Sequence, residues 1–232
     1  MTPGASDAPS AGADTLSERA AALVEADIVS GALAPGARLG IAERAAHYGI
    51  GATPLREGLS RLVARGLVDA IGQRGFRVKE ISRDDLADIV RIRSLIECEA
   101  LRLSMAAGRG EWEGAIVAAL HRLKLYVRQA GRDFGEGRPE FDALHKSFHA
   151  SLIAACGSPR MLAAFSDLYD QAYRYRRLMM AKLADPEEFL RQHEAIADLA
   201  IARAGEKACA ELAAHIASTL THVYAEGAGA ST

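Results

Sequence analysis

The stretch Gly49-Ile50-Gly51-Ala52-Thr53-Pro54-Leu55-Arg56-Glu57-Gly58-Leu59-Ser60-Arg61-Leu62-Val63-Ala64-Arg65-Gly66 decides the N-terminal fold. Two glycines break the chain, and Thr53 then reads as an N-cap with Pro54 at the first helical position, where a missing N–H costs nothing. The helix that follows buries Leu55, Leu59, Leu62 and Val63 and stops at Gly66. Upstream, Leu16, Ala20, Leu23, Val24 and Ile28 recur at helical spacing, and Ile41–Tyr48 is a short second helix. Three helices, the last two joined by a tight glycine turn, have the spacing of a helix-turn-helix.

Downstream, Leu67–Ile71 and Phe76–Ile81 flank Gly72-Gln73-Arg74-Gly75. Phe76 and Val78 alternate with Arg77 and Lys79, as in a half-buried strand. The pair reads as a β-hairpin with Arg74 at its tip, a wing placed directly after the helix-turn-helix. From Ala37 to Lys79 there are eight basic and three acidic side chains, a net +5, although the whole chain sums to −2. Local positive charge within a near-neutral protein is the footprint of a nucleic-acid-binding module joined to something else.

Beyond Ser82 the pattern is helical to the end. Ser82 opens a helix running to about Ala107, and further helices start at Trp112, Pro139 and Pro159. The fifth starts after Asp185, with Glu188 at the capping-box position, and runs to about Gly205; the sixth is Glu206–Tyr224. The expected architecture is mostly α: an N-terminal winged helix-turn-helix (residues 15–81) and a C-terminal all-α six-helix antiparallel bundle (82–226). Residues 1–14 and 227–232 are rich in Ala, Gly and Ser and read as disordered tails.

With 232 residues the chain suits one or two domains. No apolar run approaches the length of a membrane span, and the first residues lack the basic and apolar regions of an export signal. Cys98, Cys156 and Cys209 are scattered and odd in number, which reads as free thiols in a reducing compartment. A cytoplasmic protein with no membrane partner is expected.

Two groups of residues carry the chemistry. A recognition helix presents its N-terminal side chains to the major groove. Thr53, Arg56, Glu57, Ser60 and Arg61 avoid the Leu55/Leu59/Leu62/Val63 face and are free to touch a partner, with Arg38 in the same positive strip and Arg74 on the wing. Read singly, each arginine is more often a solvated charge; turn, wing and positive strip together favour double-stranded DNA. In the helical region His145 and His149 sit four apart in the stripe Phe141, Leu144, His145, Phe148, His149, Leu152. His193 and His215 lie in the inward stripes of two other helices. Imidazoles at i and i+4, joined by one from each of two neighbouring helices, can share a divalent metal. A core histidine bonded to backbone or water is the plainer reading for each alone.

The segments Pro35–Leu39, Thr53–Leu62, Gly66–Val68 and Gly75–Val78 resemble the winged helix of GntR-family regulators. Residues 84–224 resemble the FCD ligand-binding domain of that family's FadR branch. The segments Gly51–Pro54, Trp112-Glu113, Ala155–Pro159 and Arg174–Arg177 are similar to the subgroup containing the carbon-starvation-induced regulator. Most family members carry Ser-Arg before Thr-Pro. Here Gly51-Ala52 stands there, so one usual DNA-contacting arginine is absent at Ala52 while Arg56 keeps the second.

The family's helical domain usually binds a divalent metal through one Asp and three His. His145 stands at the Asp position, giving four possible nitrogen ligands: His145, His149, His193 and His215. Zinc suits such a donor set, with nickel or manganese as alternatives. The resemblance also implies a small carboxylate effector, with Arg93 matching the family's arginine on the first helix of the domain and Arg174 and Arg177 as further candidates. Each has a plain alternative as an interhelical ion pair, for instance with Glu97 or Glu99. The implied function is a homodimeric repressor that sits on a pseudo-palindromic operator and is released by a small organic acid. The competing reading, a metal-dependent enzyme built on the histidine cluster, lacks the Glu-x-x-His pairs of di-iron bundles and any nucleophile elbow.

Overall fold

The computed structural model describes residues 15–72, 75–179 and 185–224. Both expected tails and Arg74 at the wing tip lie outside the described residues. The chain divides into two compact units, one of Met1–Ile28 and Ala32–Glu80, the other of Val29–Gly31 and Ile81–Thr232.

The first unit contains α1 (Leu16–Ser30), β1 (Arg38–Leu39), α2 (Ile41–Tyr48), α3 (Ala52–Ala64), β2 (Val68–Ala70) and β3 (Phe76–Val78). Its core is built from Ala20, Val24 and Ile28 of α1, Leu55, Leu59 and Leu62 of α3, and Leu39, Val68, Phe76 and Val78 of the sheet. Gly49 closes α2 at φ +62°, a left-handed conformation that only glycine adopts at little cost, and this turns the chain toward α3. The helix-turn-helix is therefore set by one glycine.

Two local expectations are corrected. The N-cap of α3 is Gly51, not Thr53, and no side chain caps it. Pro54 falls in the first turn rather than at its first position. It is tolerated there because the first N–H groups of a helix have no intrahelical acceptor. The sheet also has three strands rather than two, in the order β1-β3-β2, all antiparallel. Arg77 at its centre faces Arg38 on one side and Asp69 on the other. β1 is two residues long, too short for alternation to reveal it.

The second unit is the helical bundle: α4 (Arg83–Ala107), α5 (Gly110–Ala130), α6 (Pro139–Ile153), α7 (Pro159–Met179), α8 (Pro186–Ile201) and α9 (Gly205–Val223), with a 3₁₀ turn at Gly131–Asp133. Ser82 accepts a hydrogen bond from the Asp85 N–H at the start of α4, and Asp185 accepts one from Glu187 at the start of α8. Glu188 does not close a capping box; its carboxylate is held by Arg191 and Gln192. α6 ends at Ile153, and α8 ends at Ile201, short of Gly205, with Arg203 at φ +53°. α4 packs against α9, α7, α6 and α8, so it is the central strut of the bundle. The indole N–H of Trp112 on α5 donates to the carbonyls of Ser151 (3.0 Å) and Leu152 (3.2 Å), fixing the end of α6. Among the described residues no helix is long and apolar enough to cross a membrane.

Two glycines test this packing in opposite directions. A Cβ on Gly58 of α3 would lie 2.8 Å from the Ala21 nitrogen and 2.9 Å from the Ser17 carbonyl oxygen of α1. Gly58→Ala should therefore destabilise the first unit by about 1–3 kcal/mol. Gly114 is an exposed helical position in α5 with open space around it. Gly114→Ala should stabilise the second unit by about 0.5–1 kcal/mol. Hydrogen exchange of the α1 and α3 amides, against those of α5, measures both.

Candidate metal centre and DNA-reading surface

The inward stripe of α6 carries His145 and His149 into the bundle core, α8 brings His193, and α9 brings His215. Their ligand nitrogens all lie within 4.8 Å of one another. His145, His149 and His193 are buried and His215 is half-buried. The Nε2 atoms of His145 and His149 are 3.2 Å apart. Two nitrogens bound tetrahedrally to one ion at ordinary zinc–imidazole distances stand about 3.3 Å apart.

Burial pushes the pKa of every imidazole down, and neighbouring imidazoles add to the shift at His145, His149 and His215. Burial holds His193 at about 4, against the opposing pull of its bond to Phe189. All four are neutral at pH 7 and each has one lone pair to offer. The Nδ1–H of His193 donates to the Phe189 carbonyl at 2.7 Å, which leaves the lone pair on Nε2. That Nε2, on a side chain with no exposure, has no hydrogen-bond partner among the described residues. Orphaned buried nitrogens converging on one point fit a cation better than they fit core packing.

A cavity of about 50 Å³ opens beside the cluster. Its wall includes His145, His149 and His215, and also Arg93 of α4, Arg176 of α7 and Glu136 of the loop before α6. Gln192, Ser218, Thr219 and His222 line it as well; His222, exposed near the end of α9, stands outside the stripe expected from the sequence.

The arginines need correction. Arg93 lines the cavity, but its Nε is bound to Glu97 at 2.7 Å, an ion pair within α4 rather than between helices, with the two side chains 2% and 1% exposed. Glu99 pairs instead with Arg102. Arg174 and Arg177 do not line the cavity. Arg174 is buried away from it, and the Arg177 guanidinium lies against Gly137. Of the three, Arg176 is the one that lines the cavity. It continues the buried face Phe165, Tyr169, Ala172, Arg176, and that spacing was available in the sequence. Its Nε binds Glu136 at 2.9 Å, while its Nη2 is buried without a hydrogen-bond partner among the described residues. Arg93 and Arg176 sit 5.0 and 4.9 Å from the centre of the Tyr169 ring, which lends both guanidinium groups a favourable π contact. Burial pushes both the Glu97 and Glu136 carboxyls up, and the neighbouring arginines pull them back.

On the first unit Thr53, Arg56, Ser60 and Arg61 are all exposed on α3, and Arg38 is exposed on β1. They differ in what they are already doing. Arg61 reaches Glu18 of α1 at 3.4 Å, and the Ser60 hydroxyl donates to the Arg56 carbonyl. Arg56 has no ion pair among the described residues and borders a cleft shared with Gly40, Gly72 and Gly75, next to the wing.

A winged helix carrying an uncommitted arginine at the start of its third helix, on the same chain as a helical bundle with a cavity beside a histidine cluster, is the build of a transcriptional regulator. The comparisons give the family. The model of bacterial regulatory proteins of the gntR family matches residues 16–78, and the FCD domain model matches residues 88–218. The chain belongs to the GntR family, with a C-terminal FCD domain, and is a DNA-binding transcriptional regulator rather than an enzyme. The uncharacterised HTH-type transcriptional regulator BphR of Paraburkholderia xenovorans (strain LB400) is 38% identical over 219 residues, spanning 94% of this chain and 89% of its own. The HTH-type transcriptional repressor GlaR of Escherichia coli (strain K12) is 32% identical over 208 residues, spanning 88% and 93%. Among solved structures, E. coli McbR/YncC superposes with a TM-score of 0.73 at 20% identity, covering 91% of this chain and 98% of that one, a likeness of fold.

The buried Arg93–Glu97 pair makes a stability prediction. Arg93→Met alone strands the Glu97 carboxylate and should cost the metal-free protein about 3–5 kcal/mol. Adding Glu97→Leu should recover most of that loss, because an apolar pair of similar volume replaces the ion pair. Urea unfolding of the two variants checks both halves.

Proposed function

We propose that the protein is a homodimeric repressor released from a pseudo-palindromic operator by a small organic acid that enters the helical unit beside a divalent metal. The observation that carries the ligand half is the convergence of four neutral imidazoles, three of which line a cavity bordered by a buried arginine nitrogen with no hydrogen-bond partner among the described residues. His145, His149, His193 and His215 would hold the ion, zinc by donor chemistry with nickel or manganese as alternatives. When bound it supplies positive charge to an oxyanion.

Charge supports the acid. Arg93 is balanced by Glu97 and Arg176 by Glu136, and the four imidazoles add nothing, so two positive charges from the ion would stand uncompensated in a dry site. Arg176 Nη2 is the donor left over for a carboxylate oxygen. The cavity of about 50 Å³ holds only a few waters, so a multi-carbon acid must widen it, and widening is how binding would reach the rest of the molecule. Repression as the sign of regulation is supported by GlaR, a repressor by its name. A dimer is supported by the DNA side: one recognition helix reads only a half-site.

Two outcomes test the reading. Purified protein should carry about one divalent ion per chain, lost in both His149→Ala and His193→Ala; absence of metal, with unchanged melting in both variants, would reduce the histidines to core filler. On duplexes selected from a random library, Arg56→Ala should weaken binding and lower the slope of log K against log salt by about one if Arg56 grips phosphate. Loss confined to particular base pairs, with the slope intact, would make it a base-reading residue instead.

A further inference from the structure

The cluster has an outer layer that the donor set alone does not explain. A neutral imidazole carries one proton. Nε2 can offer a lone pair only when that proton sits on Nδ1, and a buried Nδ1–H needs an acceptor. His193 has one, the Phe189 carbonyl. The Nδ1 atoms of His145 and His149 are buried with no hydrogen-bond partner among the described residues. The group facing each is a carboxylate: Glu136 Oε1 lies 3.9 Å from His145 Nδ1, and Glu97 Oε2 lies 3.9 Å from His149 Nδ1.

Those glutamates are among the most buried charges in the protein, 3% and 1% exposed. They come from different elements, the loop before α6 and the middle of α4, yet they meet the two imidazoles whose Nε2 atoms stand 3.2 Å apart. Each is held by an arginine, Glu97 through the oxygen that does not face His149 and Glu136 through Oε1, the same oxygen that faces His145. Arg93 takes Glu97 Oε1 and so leaves Oε2 toward His149; Arg176 holds Glu136 beside His145. Glu136 also neighbours Asp142, which is tied down by the Gly137 N–H and the Tyr173 hydroxyl.

We propose that Glu97 and Glu136 are positioning residues of the metal centre, each holding one imidazole in the Nδ1-protonated form that turns Nε2 toward the ion. The inference rests on the metal reading above. Arg93 and Arg176 act at one remove, by aiming the carboxylates. Three of the four imidazoles then have an oxygen on their Nδ1 side, and His215, whose Nδ1 has no hydrogen-bond partner among the described residues, is the least constrained of the set.

The test uses the full chain: wild type, Glu97→Gln, Glu136→Gln, the double variant Arg93→Met/Glu97→Leu, and Glu99→Gln as a control on the exposed face of α4. Zinc affinity is read by competition with a chromophoric chelator, and ligand geometry by the visible d–d spectrum of the cobalt(II) form. Each Glu→Gln change should weaken zinc 10- to 100-fold and shift the cobalt spectrum, with Glu99→Gln unchanged. The double variant keeps a packed core, so it should bind zinc as weakly as Glu97→Gln even if the single change folds poorly. Zinc affinity within twofold of wild type, with an unaltered cobalt spectrum, in Glu136→Gln and the double variant would overturn the proposal while leaving the metal site standing. A wild type that binds no ion would overturn both together.

Discussion

The constraint on which the helical unit depends is that four imidazoles share one buried point. A bundle of this size would ordinarily fill that volume with leucine. Here the filling is polar, and each polar atom taken from water must find a partner or be lost as stability. The surroundings follow from that demand. Phe134, Phe141 and Phe189 pack around His145 and His193 and exclude water. The Phe189 carbonyl accepts a hydrogen bond from one imidazole, and two ion pairs bring charges to the same depth. α4 supplies one pair and touches four other helices, so the strut of the fold is also a wall of the site.

Most of this was legible in the sequence where side chains repeat with the helix. The α6 stripe places His145 and His149 inward because six apolar or imidazole positions agree on one face. His193 and His215 follow from the stripes of α8 and α9. What escaped lies where periodicity is silent. Glu136 sits in Gly135-Glu136-Gly137, a loop whose path no pattern fixes, and its burial depends on Arg176 arriving from a helix forty residues later. The choice among Arg174, Arg176 and Arg177 turns on the phase of α7; three closely spaced arginines look alike as letters and point to different surroundings. Thr53 has the look of a cap because Pro usually opens a helix, whereas α3 begins two residues before its proline.

The N-terminal unit follows a different economy. Its fold depends on apolar spacing and on left-handed glycines at its turns, Gly49 between α2 and α3 among them, and both are plain in the sequence. Its selectivity depends on which exposed side chains remain uncommitted, and that needs coordinates. Ser60 spends its hydroxyl on its own helix and Arg61 leans on Glu18, while Arg56 keeps its guanidinium available beside the wing. Ala52, at the start of α3, offers no side-chain donor, and fewer bidentate donors on that helix would mean a shorter list of bases that could be specified.

Under the proposed function, the two arginine–glutamate pairs would also govern how an acid meets the cavity. An unpaired buried guanidinium would attract any anion, whatever its shape. Arg93 and Arg176 are each turned by a carboxylate through Nε, so their remaining N–H groups point in fixed directions. Arg176 Nη2, on a residue lining the cavity, has no hydrogen-bond partner among the described residues, and the guanidinium is held there against the face of Tyr169. Specificity for such an acid would then come from the angle between that donor and the imidazole cluster rather than from net attraction. An acid whose oxygens span that angle satisfies the orphan nitrogen. One that does not leaves it buried and unpaired, and the penalty for that is the larger of the two terms.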